Sequence, residues 1–145
     1  GEVPHVFSEQ ELSLYTGSDT SLPILLSIKG VVYDVTAGEG YYGPEAGGYS
    51  FFAGRDATKS FVTGCFDLDC YEQDLSDLNQ DQLDGIEEWY HFYRDSNKYH
   101  FVGFLDGAWQ RYHGEQTPMI DPGYLKNGLF GKHKPQRMIE FELLR

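Results

Sequence analysis

Tyrosine is the residue best able to do chemistry in this chain, and much of it sits in one stretch. Residues 37–54 read AGEGYYGPEAGGYSFFAG, with Tyr41, Tyr42 and Tyr49 set among glycines. Such a segment is a poor helix and a poor strand, yet it is too aromatic for a flexible linker. Tyrosine rings wall flat apolar ligands and offer a hydroxyl at one end; they also simply fill cores. A lysine-tyrosine pair, Lys98-Tyr99, opens the run KYHFVG. Taken alone, Lys98 is a solvated lysine at a strand end and Tyr99 a half-buried strand aromatic. The five histidines, His5, His91, His100, His113 and His133, are scattered. His91 reads as a surface residue on a helix and His100 as a buried, hydrogen-bonded strand residue. Cys65 and Cys70 have four residues between them, which is not the CxxC spacing of a redox or zinc motif. They close a small disulfide loop in an oxidising compartment or stay free thiols in a reducing one. The acidic residues Asp67, Asp69, Glu72, Asp74 and Asp77 are not spaced as a calcium loop and read as a solvated face. No nucleophile motif, phosphate loop or zinc signature occurs, so the chain is read as a binding protein and not an enzyme.

These residues need elements to hold them. Ser8 and Glu11 have the spacing of a capping box, with Phe7 and Leu12 as its hydrophobic staple, which predicts a short first helix. PILLSI, then Lys29-Gly30, then VVYDV predicts a hairpin over residues 23–35. Asp56 reads as the N-cap of a short helix reaching Phe61, with Arg55 bracing the loop. Asn79 opens the clearest helix, Gln80 to Arg94, with Leu83, Ile86, Tyr90 and Tyr93 on one face and Trp89 beside them. Lys98 to Leu105 reads as a strand. Asp106-Gly107 is a hairpin turn signal, with Ala108 to Tyr112 returning as its partner. Beyond Gly114 the chain turns irregular, and Leu125, Leu129, Phe130, Met138, Ile139 and Phe141 ask for burial. The expected organisation is one domain over 7–113 and an extension, 114–145, that packs on it or is partly disordered.

The 145 residues suit one compact domain, and 40% hydrophobic content is enough for a core. The formal charge of −12 argues against nucleic acid, which needs a basic footprint, and against docking on anionic lipid. No apolar run reaches the roughly 18 residues of a membrane span.

Three segments carry a resemblance: YYGPEAGGYSFFAGRDATKSF, DLSDLNQDQ and KYHFVG, with FSEQEL and IKGVVYDVT ahead of them. Together they resemble the membrane-associated progesterone receptor family over roughly two thirds of the chain. FVTG at residues 61–64 and the extension look most like its neuferricin branch, with the neudesin branch next. The resemblance implies an α+β, cytochrome b5-like haem/steroid-binding fold, in which a small mixed sheet and short helices surround a haem cleft. The His-Pro-Gly-Gly motif of bis-histidine b5 carriers is missing. The family instead ligates iron through a loop tyrosine, whose counterpart is Tyr49. Ferric iron is a strong Lewis acid that stabilises a phenolate, and tyrosine is an attested haem ligand. The resemblance further implies that Tyr42 hydrogen-bonds near the ligand oxygen, that Lys98 meets a haem propionate, and that Tyr99 supplies a hydroxyl or lines the pocket. The expected cofactor is haem b as Fe(III), with an unidentified protein partner and a haem-mediated homodimer as further expectations. Secretion or a lumenal location, with a signalling or haem-handling role, follows from the same likeness. One departure is visible. The family loop runs Tyr-Gly-Pro-Glu-Gly-Pro-Tyr, whereas residues 42–49 are one longer, so the extra residue is either absorbed or moves Tyr49 off the iron. The rival readings are a b5-type electron donor, a haem-free interaction module and a direct steroid receptor.

Overall fold

The computed structural model describes residues 4–46, 48–65 and 74–125, with backbone only for 124 and 125. Four strands form one mixed sheet in the order β1-β4-β3-β2. They are β1 (His5–Phe7), β2 (Leu25–Ile28), β3 (Val31–Asp34) and β4 (His100–Leu105). The β2–β3 hairpin forms where the sequence predicts it. Its turn is Lys29-Gly30, both with positive φ, 49° and 86°, the two-residue geometry that matches strand twist. β4 lies antiparallel to β3, and β1 joins the far side of β4 in parallel. No sequence pattern announced β1.

Both faces of the sheet are covered, which explains why β2 is buried along its whole length. Leu26, Ile28, Val31 and Tyr33 face the larger core, while Leu25 and Val32 face a smaller one with Phe7, Leu12 and Ala108. Each fully buried aliphatic or phenylalanine side chain contributes about 1.5–3 kcal/mol. On β4 the pairing jumps from Val32↔Gly103 to Tyr33↔Phe101. Val102 is therefore the extra residue of a bulge. The bulge resets the side-chain alternation, so that Phe101 and Phe104 both enter the larger core despite their odd spacing.

Among the described residues, five α-helices complete the fold: α1 (Glu9–Leu12), α2 (Glu39–Tyr42), α3 (Ser60–Thr63), α4 (Gln80–Asp95) and α5 (Ala108–His113). Ser8 caps α1 by accepting from the Glu11 amide at 3.0 Å. The reciprocal half of the expected capping box is absent, because the Glu11 carboxylate meets the His5 ring instead. α4 carries a full box: Asn79 Oδ1 accepts from the Gln82 amide at 2.8 Å, and Gln82 Oε1 accepts from the Asn79 amide at 3.0 Å. Ile86, Tyr90 and Tyr93 are its buried residues.

Three further expectations are corrected. Residues 108–112 are not a return strand but the helix α5. β4 already has β1 on one edge and β3 on the other, so no edge is open to a partner. Gly107 instead turns the chain in the left-handed region, at φ 72°, and Trp109 closes over the hairpin turn. Asp56 is not the cap of α3, which starts after Lys59 without a side-chain cap. Its carboxylate is buried and accepts from the Thr58 amide (3.0 Å) and hydroxyl (2.5 Å) and from the Tyr112 hydroxyl (2.7 Å). Burial pushes its pKa up, with the Thr58 and Tyr112 hydrogen bonds opposing. Arg55 does brace its loop, donating to the Ser60 hydroxyl at 2.7 Å. β4 also begins at His100, two residues later than expected.

Past α5, Met119 packs on the larger core and Asp121 is buried. The expected burial of Leu129, Phe130, Met138, Ile139 and Phe141 lies outside the described residues, as do Asp67, Asp69, Glu72 and Cys70. Cys65 is disulfide-bonded.

Candidate functional site

The glycine- and tyrosine-rich segment resolves into short helical turns: a 3-10 turn over Thr36–Gly38, then α2, then a 3-10 turn over Ser50–Phe52. It stands against the C-terminal half of α4 and the start of the KYHFVG run. Between them lies a cleft of about 370 Å³ lined by Tyr41, Tyr42, Tyr49, Trp89, Phe92, Ser96, Lys98 and Tyr99. Tyr42 and Tyr99 are buried at its floor, 5% and 4% exposed. Tyr41, Tyr49 and Phe92 stand open at its mouth, 56%, 43% and 50% exposed. Hollows of about 510 and 540 Å³ lie elsewhere, but the first has one aromatic residue, Tyr112, in its wall and the second none. The tyrosine cleft is the better place for a flat apolar ligand.

A stack of rings fixes Tyr49. Its ring lies on Phe52 (5.6 Å between centroids), Phe52 on Phe61 (4.5 Å), and Phe61 on Trp89 of α4 (4.9 Å). The loop is thus bolted to the long helix through aromatic surface, and the loop's greater length leaves Tyr49 on the cleft. The Tyr49 ring is also 6.2 Å from that of Tyr42. Tyr42 differs from it in burial and in bonding. Its hydroxyl is 2.5 Å from the hydroxyl of Tyr93, a wholly buried residue. Burial pushes the Tyr42 phenol up to about 12, against the lowering effect of the Tyr93 hydrogen bond. Burial drives Tyr93 further up still. Tyr42 is therefore a neutral phenol at ordinary pH, not an anion.

Lys98 holds its ammonium 5.7 Å from the Tyr41 ring and 5.4 Å from the Tyr99 ring. Among the described residues it is the one cation lining the cleft, in a chain of formal charge −12. The Ser96 hydroxyl accepts from the amides of Lys98 (3.0 Å) and Tyr99 (3.1 Å), which fixes the entry of that run into the site. Among the described residues, no histidine lines the cleft. His91 is exposed on α4, as expected of a surface histidine, and His113 stacks on Trp109 at 3.5 Å.

The four residues singled out from the sequence, Tyr42, Tyr49, Lys98 and Tyr99, come together here. Sequence reasoning missed Phe92 and Ser96, treated Trp89 only as a neighbour of the apolar face, and left Tyr41 between wall and packing. The signal was present: Trp89, Phe92 and Ser96 recur at i, i+3 and i+7, one stripe of a helix.

The arrangement fits a haem on three counts. The walls are aromatic, an accessible phenol stands at the mouth, and Lys98 brings to the lining the positive charge that a propionate would call for. Among known proteins, the description "Cytochrome b5-like Heme/Steroid binding domain" matches residues 8–106. "Membrane-associated progesterone-binding protein 4" of Arabidopsis thaliana is 45% identical over 112 residues, 77% of this chain and 44% of that protein. "Neuferricin" of Danio rerio is 36% identical over 140 residues, 95% of this chain and 51% of its own length. The chain thus spans about half the length of these relatives. A solved structure, a hypothetical protein of Arabidopsis thaliana described as having a cytochrome b5-like fold, aligns with a TM-score of 0.60 at 31% identity. That alignment covers 72% of this chain and 94% of the other. On its sheet, its cleft and these likenesses, the chain belongs to the cytochrome b5-like heme/steroid-binding domain family, within the membrane-associated progesterone receptor group.

Proposed function

We propose that this domain binds ferric haem b in the tyrosine cleft, with the Tyr49 phenolate as axial ligand, and that it acts as a non-catalytic haem module. The carrying observation is the contrast between the two loop tyrosines: Tyr42 is buried and bonded to Tyr93, while Tyr49 is 43% exposed at the mouth. Ferric haem would supply a Lewis-acidic iron that lowers the pKa of a bound phenol. Tyr49 offers the oxygen, Tyr42 stands beside it as a neutral donor, Lys98 answers a propionate, and Tyr99 floors the cleft. An anionic oxygen ligand favours Fe(III) over Fe(II), and no histidine among the described residues lines the cleft; both speak against a b5-type electron shuttle. The disulfide at Cys65 supports a secreted or lumenal location, since such bonds persist in oxidising compartments. A signalling or haem-handling role there follows from the neuferricin likeness. Tyr41 and Phe92 leave the mouth apolar, which suits a second haem domain stacking face to face.

The test is an absorption titration of the chain with ferric haem, beside Tyr49→Phe. A saturable high-spin ferric spectrum that the variant loses supports the reading. A low-spin six-coordinate spectrum would assign the iron to histidine, and no saturable binding would leave the cleft to a steroid or to a protein partner.

A further inference from the structure

The larger core holds one polar contact that its packing does not require. The hydroxyls of Tyr42 and Tyr93 meet at 2.5 Å. Tyr93 comes from α4, is wholly buried, and is packed by rings on several sides: Tyr33 at 5.5 Å, Phe61 at 5.7 Å, Phe92 at 5.1 Å and Tyr99 at 5.8 Å. A phenylalanine would keep all of that packing. The hydroxyl is what the position adds, and it meets the tyrosine whose other side faces the cleft.

A phenol has one proton to donate and lone pairs to accept with. Tyr42 can therefore accept from behind and donate in front at the same time. Chained hydrogen bonds polarise one another, so a donor that is itself an acceptor becomes a stronger donor. The geometry points to Tyr93 as a positioning residue for the haem ligand: its hydroxyl donates to the Tyr42 oxygen and commits the Tyr42 proton to the cleft, toward Tyr49. This inference rests on the haem reading above and extends it one residue inward. Its chemical consequence has a sign. A strengthened hydrogen bond on the Tyr49 phenolate draws electron density from the oxygen, so less reaches the iron. Losing Tyr93 should make the phenolate a stronger donor to Fe(III), lower the Fe(III)/Fe(II) potential and move the phenolate-to-iron charge-transfer band to lower energy.

The experiment compares the whole chain with Tyr93→Phe, Tyr42→Phe and the double variant, each loaded with ferric haem, with Tyr49→Phe as control. Removing an outer-shell partner of a metal ligand lowers affinity about 10- to 100-fold. One bond further out, Tyr93→Phe should lower it roughly three- to tenfold, with the band and the potential shifted as above. Because Tyr93 acts through Tyr42, all three changes should vanish when Tyr93→Phe is made in the Tyr42→Phe background. In the haem-free chain, a hydroxyl proton far downfield in the NMR spectrum should disappear in either single variant. Urea unfolding of the same proteins separates packing from tuning. If Tyr93→Phe loses stability but keeps the parental band, potential and affinity, while Tyr49→Phe abolishes the site, the role of Tyr93 is overturned and the haem reading stands. If Tyr49→Phe leaves the spectrum unchanged, the haem reading falls and takes this inference with it.

Discussion

Gly38→Ala puts one methyl group into the floor of the cleft, and the structure says what it meets. Gly38 has φ −105° and ψ 29°, a conformation alanine can adopt. The backbone is therefore not the obstacle. A Cβ there would overlap the Tyr99 hydroxyl and stand 3.0 Å from Tyr99 Cε1 and 3.1 Å from Tyr42 Cδ2. Neither ring has room to retreat. Tyr99 is 4% exposed and is flanked by Tyr42 (5.9 Å), Tyr93 (5.8 Å) and Phe92 (6.2 Å). Forcing a carbon into such a place costs about 1–3 kcal/mol. The glycine's lost freedom in the unfolded chain returns about 0.4–1 kcal/mol. The net loss is about 1–2 kcal/mol, a fall in Tm of roughly 3–10 °C for a chain of this length. Because both floor residues move, haem affinity should fall roughly tenfold. Urea unfolding and a haem absorption titration read the two effects. The companion variant Gly38→Ala/Tyr99→Phe removes the worst overlap and should recover about half the lost stability. Parental stability in Gly38→Ala would refute the reasoning, and so would a double variant no better than the sum of the two single changes.

Three more outcomes follow from the same geometry. Gly103→Ala would drive a Cβ into the main-chain carbonyl of His5, so it should expel β1 and cost about 3 kcal/mol or more, seen as early amide exchange over residues 5–7. Asn79→Ala removes the α4 capping box and should cost about 1 kcal/mol in urea unfolding with an unchanged m-value. His113 donates from Nε2 to the Lys29 carbonyl at 2.9 Å. Burial, aided by the Lys29 charge, holds its pKa below the ordinary 6.5, with the Lys29 carbonyl and the carboxylates of Glu87 and Glu115 opposing. The unfolded chain then binds more protons than the native one below that value, so the stability from a neutral His113 is complete above pH 6.5 and is lost as pH falls through the folded value. Urea midpoints between pH 7.5 and 5 should fall in the parent and fall less in His113→Gln. Equal slopes would show that His113 is not the group responsible.

Local pattern was enough wherever an element's own residues settle its shape. Lys29-Gly30 between two β-rich runs makes the β2–β3 hairpin, and Asn79 with Gln82 starts α4 on time, because turn and cap chemistry act over a few residues. The aromatic loop was also legible as a candidate site, through its resemblance to a known family, although phenols among glycines can equally fill a core. What could not be read was set by occupancy elsewhere in the fold. Asp106-Gly107 is a sound turn signal, yet Ala108–His113 became a helix because β1 and β3 had filled both edges of β4. Three residues, His5–Phe7, carry no pattern that would announce β1. The Val102 bulge put Phe101 and Phe104 on one face against the alternation. In the cleft, Tyr42, Tyr49, Lys98 and Tyr99 were visible as residue types, while Phe92, Ser96 and the buried hydroxyl of Tyr93 took meaning only from what stood across from them. The sequence by itself determined the family, the charge and the chemistry on offer. The tertiary structure alone decided which tyrosine is buried and bonded and which stands open at the mouth, because burial and hydrogen bonding belong to the packed arrangement and not to any single residue.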